Sequence, residues 1–133
     1  MQNKYFVLMV LTILLLAGCG GGTTATPEVL ETVPAEFAGQ TNPYGAEAIP
    51  QGAEIFQTYC ASCHGEAGHG DGRASGSLVP PPKDLVELHP LVGDDYLFWR
   101  ISGGKSGTAM VAWKGILTDK QIWQTVSFIR TLK

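Results

Sequence analysis

The sequence predicts an all-α domain with few, short helices and long loops. Apolar residues at helical spacing indicate a first helix that ends at about Cys60. This helix is predicted to begin at Pro50, since proline suits the first turn of a helix. A second helix begins at Thr118, whose hydroxyl can cap it, and a shorter one lies between Gly93 and Gly103. No segment has the sustained alternation of apolar and polar residues that is typical of a β-strand.

Length and composition leave room for one such domain. The chain has 133 residues, of which 44 % are apolar and 16 % are charged, and its formal net charge is −3. A domain usually takes roughly 100–200 residues. Lysines and arginines are scattered singly along the chain, so the basic surface that nucleic acid binding requires is not predicted. We therefore expect no nucleic-acid partner.

The N-terminal segment 1–18 predicts an export signal. Lys4 precedes an apolar run over 5–16, which is shorter than the roughly twenty residues that span a bilayer. The sequence LAGC at 16–19 resembles the lipobox of bacterial lipoproteins, which implies that Cys19 is lipidated and becomes the first mature residue. We expect the lipid to tether the protein to the outer, periplasmic face of the cytoplasmic membrane. An uncleaved signal anchor and an ordinary cleavage site are the alternatives.

The mature chain divides into a linker and a folded unit. Residues 19–48 contain glycines, threonines, prolines and glutamates but no lysine or arginine, which predicts a flexible linker. The folded unit is predicted over 49–133, which holds all three tryptophans. Its loop 65–82 is rich in glycine and proline, and structureless loops beyond about 15 residues are uncommon unless they are functional. We infer that this loop wraps a group that completes a small core.

Cysteine and histidine residues in the sequence CASCHG at 60–65 indicate what that group is. The spacing of Cys60, Cys63 and His64 is that of a c-type haem attachment motif, in which two thiols bond the porphyrin and the imidazole binds the iron. Three alternatives fit less well. A zinc site needs four ligands, a thioredoxin-like pair needs a βαβ context, and a disulfide within a helical turn constrains almost nothing.

Met110 is the predicted second axial ligand of the iron. Met1 and Met9 leave with the signal, so Met110 is the only methionine of the mature chain, and it lies in a loop. His89 and His69 are the alternative ligands. With both axial positions taken, the iron has no site for a substrate, and one-electron transfer remains. A haem sensor or peroxidase in which the methionine is displaced is an alternative, as is a structural lipoprotein without haem.

Further side chains are candidates for the surroundings of the haem. An apolar cage is predicted from Phe56, Leu78, Leu97, Ile101, Trp113 and Trp123. Bonds to the haem propionates are predicted from Tyr96, Trp99 and Arg100. The first group is also compatible with an ordinary core, and the second with surface residues that have no role at the haem.

Three segments resemble a monohaem class I cytochrome c. They are GAEIFQTYCASCHG at 52–65, GHGDG at 68–72 with LVPPPKDL at 78–85, and the segment around the methionine and last helix at 99–132. The resemblance implies a small cytochrome c fold of about three to five helices wrapped around one covalently bound haem c. It places Gly52 and Phe56 where the first helix crosses the last.

The same resemblance implies roles beyond the fold. A proline carbonyl accepts the hydrogen bond of the iron-binding imidazole, for which we choose Pro81. The function implied is that of an electron carrier and not an enzyme, with redox proteins at the membrane surface as partners. The alternative is a fixed haem subunit of a membrane quinol-oxidising complex of the alternative complex III kind.

Overall fold

Residues 29–133 are described by the structure, a computed structural model, and this part of the chain is helical. Its α-helices are α1 (Ile49–Tyr59), α2 (Ala61–His64), α3 (Leu85–Leu88), α4 (Asp94–Gly103) and α5 (Asp119–Ile129). Single 3₁₀ turns occur at Ala46–Ala48, Ser75–Ser77 and His89–Leu91. No β-strand and no helix long and apolar enough to cross a membrane occur within 29–133, where Lys114 and Leu117 form one isolated bridge. The all-α prediction is confirmed, whereas the predicted signal and Cys19 lie outside the described residues.

Helices α1 and α5 cross in direct backbone contact at Gly52. A Cβ atom at this position would lie 1.9 Å from the carbonyl oxygen of Gln124, so only glycine permits the approach. One turn later, Phe56 is fully buried and its ring centroid lies 5.1 Å from that of Phe128. The crossing implied by the resemblance for Gly52 and Phe56 is therefore confirmed.

Helix α5 begins where the sequence predicts. Gln121 N donates to Thr118 Oγ1 at 3.3 Å, and Thr118 N donates to Gln121 Oε1 at 2.9 Å, which together form a capping box. Such a cap stabilises a helix by about 1 kcal/mol. The apolar face of α5 includes Trp123, whose ring stacks on that of Phe98 with centroids 4.1 Å apart. This face closes the core against α4.

The compact unit begins earlier than predicted, at Thr32. Asn42 donates from Nδ2 to the carbonyl of Trp123 and to the hydroxyl of Ser127, both at 2.9 Å. The ring of Phe37 lies 6.2 Å from that of Phe98. The prediction of a linker up to residue 48 is therefore corrected, because these side chains hold the last part of it on α4 and α5. We call residues 32–48 the N-terminal strap.

The chain end is fastened to the start of α4. Arg130 Nε donates to Asp94 Oδ1 at 2.8 Å, and its other nitrogens donate to the carbonyls of His89 and Val92. His89 Nε2 in turn donates to the carbonyl of Leu132 at 3.2 Å. This network fixes the end of α5.

Candidate haem site

One helical turn carries both cysteines and the histidine. Cys60 follows α1 and directly precedes α2, and its carbonyl accepts from Cys63 N at 3.1 Å and from His64 N at 2.9 Å. Neither cysteine is in a disulfide. Burial, followed by the neighbouring Cys63, raises the pKa of the Cys60 thiol to about 12. The Cys60 thiol is therefore protonated at neutral pH, and Cys63 follows it three residues later.

His64 is oriented by a backbone carbonyl. Its Nδ1 lies 3.1 Å from the carbonyl oxygen of Lys83, and because a carbonyl only accepts, Nδ1 carries the proton and Nε2 the lone pair. Burial lowers the pKa of His64, against the opposing effect of this hydrogen bond. The imidazole is therefore neutral at neutral pH, in the form that binds metals.

The prediction that Pro81 supplies this carbonyl is wrong. The carbonyl of Lys83 does so, two residues further along, and Pro81 is exposed. The physical reason lies in the next residues, since Leu85 N donates to the carbonyl of Gly68 at 2.7 Å. This bond draws the chain after the prolines onto the loop that follows His64.

Glycines of the loop after His64 allow its backbone to contact the backbone of neighbouring segments directly. Gly70 N donates to the carbonyl of His64 at 2.7 Å, and a Cβ on Gly70 would lie 2.6 Å from the carbonyl oxygen of Pro82. A Cβ on Gly72 would lie 2.5 Å from the carbonyl oxygens of Ala61 and Ser62. The glycine-rich composition is thus explained by a loop held between α2 and the segment before α3.

Met110 sits in a loop that is fixed through its backbone. Met110 N donates to Thr108 Oγ1 at 3.1 Å, and its carbonyl accepts from Lys105 N at 2.9 Å. Its side chain is half-buried and packs against the core. The loop therefore holds Met110 by contacts that do not involve the sulfur.

The alternative iron ligands are engaged elsewhere. His69 Nδ1 donates to Asp84 Oδ2 at 3.1 Å, and His89 is bonded near the chain end. Within residues 29–133, no three His, Cys, Asp or Glu side chains are grouped so that they could hold a metal ion, and so no cluster there supports the zinc alternative.

Residues predicted for the haem surroundings fall into three sets. Phe56, Leu97, Ile101 and Trp123 are buried in the core cluster, whereas Leu78 and Trp113 are half-buried. The ring centroid of Trp113 lies 5.4 Å from that of Tyr59.

The three residues predicted to bond the propionates lie on α4. The guanidinium carbon of Arg100 lies 4.0 Å from the ring centroid of Trp99 and 5.5 Å from that of Tyr96. The structure thus brings the three predicted propionate residues together, and the propionate role stays a prediction.

Sequence reasoning missed Lys83 and Asp84. Asp84 caps α3, since its Oδ1 accepts from Val86 N at 2.8 Å and from Glu87 N at 3.1 Å. An aspartate with a glutamate three residues later, before an apolar turn, is a recognisable helix-start signal. Lys83 acts through its carbonyl, which every residue has, so no side-chain signal marks it.

A family model described as cytochrome C oxidase, cbb3-type, subunit III matches residues 47–129, more than half of the chain. The chain belongs to this family. It is a monohaem class I cytochrome c, an electron carrier with covalently bound haem c, and Cys60 and Cys63 have the spacing of its attachment motif. The donor set fits this haem, because the cytochrome presents two thiols outside any disulfide and an imidazole whose Nδ1 is already bonded.

Relatives of the cytochrome agree with this assignment. Cytochrome c6 of Thermosynechococcus vestitus is 29 % identical over 84 residues, covering 63 % of this chain and 70 % of the relative. Cytochrome c6 of Synechococcus elongatus is 28 % identical over 81 residues, covering 61 % of this chain and 86 % of the relative.

A solved structure is also similar to the cytochrome. It belongs to the reducing HAO-like protein complex of Kuenenia stuttgartiensis, with a TM-score of 0.55, 30 % identity and 61 % of this chain covered. This chain spans only 40 % of the length of that neighbour.

Proposed function

We propose that the chain transfers single electrons as a membrane-anchored cytochrome with histidine and methionine as iron ligands. Cys60 and Cys63 form the thioethers, and His64 and Met110 bind the iron. The observation that carries this proposal is the hydrogen bond from His64 Nδ1 to the carbonyl of Lys83, since it leaves Nε2 to coordinate.

The protein residues restrict the chemistry to electron transfer. Haem c supplies a one-electron iron couple when it is bound. Met110 would bind the iron in place of oxygen or peroxide, and its thioether would favour a higher reduction potential than a second imidazole. The core around Phe56, Leu97 and Ile101 is apolar and buried, which limits the access of water.

Cys19 lies close in sequence to the compact unit. About a dozen residues separate Cys19 from Thr32, where the compact unit begins. A lipid on Cys19 then keeps the haem domain close to the membrane surface and raises its effective concentration there.

Redox proteins at that surface are the partners we propose. The similarity to cytochrome c6 supports an electron carrier. The similarity to part of a multi-protein complex favours the second candidate, a fixed haem subunit of a larger assembly such as a quinol-oxidising complex. Docking interfaces of mobile electron carriers are small and transient.

Two measurements test this proposal. Growth with an alkyne fatty acid is expected to label the wild type but not Cys19→Ser, with covalent haem present in both. Label on Cys19→Ser, or none on the wild type, contradicts the lipid anchor.

Purification of the tagged protein in mild detergent is expected to give the cytochrome alone. Stoichiometric co-elution of other subunits contradicts a mobile carrier and supports the fixed subunit.

A further inference from the structure

The carbonyl that bonds His64 belongs to the peptide unit between Lys83 and Asp84. The oxygen of this unit accepts from His64 Nδ1 at 3.1 Å, and its nitrogen is that of Asp84. Any contact that fixes the position of Asp84 therefore also fixes this carbonyl.

Three donors fix the carboxylate of Asp84. Oδ1 accepts from Val86 N at 2.8 Å and from Glu87 N at 3.1 Å, while Oδ2 accepts from His69 Nδ1 at 3.1 Å. The first two donors lie in α3 and the third in the glycine-rich loop. The carboxylate thus joins the loop after His64 to the helix that follows Lys83.

Packing of the loop restricts the same peptide unit from its other side. A Cβ on Gly70 would lie 3.3 Å from both the carbonyl carbon and the carbonyl oxygen of Lys83, so the loop backbone lies against them. Leu85 N also donates to the carbonyl of Gly68 at 2.7 Å. With Asp84 held by α3 and by His69, the Lys83 carbonyl has little freedom to move away from His64.

The charge of Asp84 is maintained at neutral pH. Burial raises the pKa of this carboxyl, but hydrogen bonds from Glu87 N, His69 and Val86 N outweigh it and bring the pKa below its ordinary value of 3.8. The side chain is 27 % exposed and that of its partner His69 is 45 % exposed. A charged acceptor makes stronger hydrogen bonds than a neutral one, so the Asp84 carboxylate keeps its three hydrogen bonds despite this exposure.

We propose that Asp84 is a positioning residue for the iron-binding histidine: its carboxylate holds the Lys83 carbonyl on Nδ1 of His64 and thereby sets the reduction potential. A well-placed acceptor makes the imidazole a stronger donor to iron, which favours the oxidised state and lowers the potential. This inference rests on the proposed ligation by His64.

The test compares three variants of the full haem-loaded protein. Asp84→Ala removes all three hydrogen bonds. Asp84→Asn keeps an oxygen that can accept from Val86 N and Glu87 N. Glu87→Gln is the matched control, since it removes a carboxylate from the same helix without touching the Asp84 side-chain bonds.

Two readouts follow the hydrogen bond itself. The reduction potential of Asp84→Ala is expected to rise. Solvent exchange of the His64 Nδ1 proton, followed by NMR in the reduced state, is expected to accelerate roughly 5-fold, which corresponds to the loss of about 1 kcal/mol of restraint. Asp84→Asn is expected to have a reduction potential and an exchange rate close to those of the wild type. Glu87→Gln is expected to match the wild type.

The outcomes separate this inference from the proposed function. An Asp84→Ala potential and exchange rate equal to those of Glu87→Gln would overturn the positioning role, because a simple helix cap alters stability alone. If Asp84→Ala does not accumulate with haem, His69→Gln provides the same comparison, with a smaller rise in potential expected and no rise contradicting the role. Wild-type spectra without histidine ligation would instead refute the proposed function.

Discussion

Replacing Gly52 with alanine is expected to lower the free energy of unfolding of the haem-loaded protein by at least about 2 kcal/mol. The added Cβ would lie 1.9 Å from the carbonyl oxygen and 2.6 Å from the carbonyl carbon of Gln124. Both are backbone atoms of α5 and cannot rotate away, so the two helices must separate. The gain in helix propensity from glycine to alanine, about 1 kcal/mol, works in the opposite direction and is smaller.

Gly76→Ala is the matched control for this prediction. Apart from its chain neighbours and its own helical turn, nothing lies within 4 Å of a Cβ built at Gly76, so the unfolding free energy of this variant is expected to change by no more than about 0.5 kcal/mol. Urea unfolding of both variants, followed by haem absorption, gives the comparison. Equal stabilities for the two variants would mean that α1 and α5 do not meet at Gly52.

Replacing Met110 with alanine is expected to open the sixth position of the iron. The reduced variant should bind carbon monoxide readily and lose its methionine-to-iron absorption band, and its reduction potential should fall by on the order of 100 mV, within the range that axial ligands control. The loop should survive, because Met110 is held through its backbone nitrogen and carbonyl. Carbon monoxide binding and redox titration measure these changes.

Val111→Ala is the control for the loop, because Val111 follows Met110 and is 56 % exposed. It is expected to keep the wild-type potential and to resist carbon monoxide. A Met110→Ala variant that also resists carbon monoxide would show that another residue binds the iron. His69 and His89 would each have to leave a hydrogen bond to do so.

Helices with local signals could be predicted from the sequence. Thr118 caps α5 through its own side chain, and α4 ends where Gly104 adopts a φ of 67°. The haem attachment motif is also local, since its residues are carried by one helical turn. In each of these cases, the residue types within one or two helical turns are sufficient to predict the structural feature.

Features that depend on distant contacts could not be predicted in this way. The N-terminal strap has the composition of a linker, and it is held by Asn42 and Phe37 through partners far along the chain. The carbonyl that bonds His64 could not be predicted either, because the resemblance implies a proline carbonyl, for which we choose Pro81, and a carbonyl carries no residue signature. Only the packing of Gly70 and Leu85 onto the neighbouring backbone brings Lys83 into place.

The most direct test of the central claim is the intact mass of the denatured wild-type protein after treatment with an alkylating agent. Covalent haem c on Cys60 and Cys63 predicts the mass of the mature chain plus one haem, with neither of these thiols alkylated. A mass without haem, with both thiols alkylated, would contradict the account.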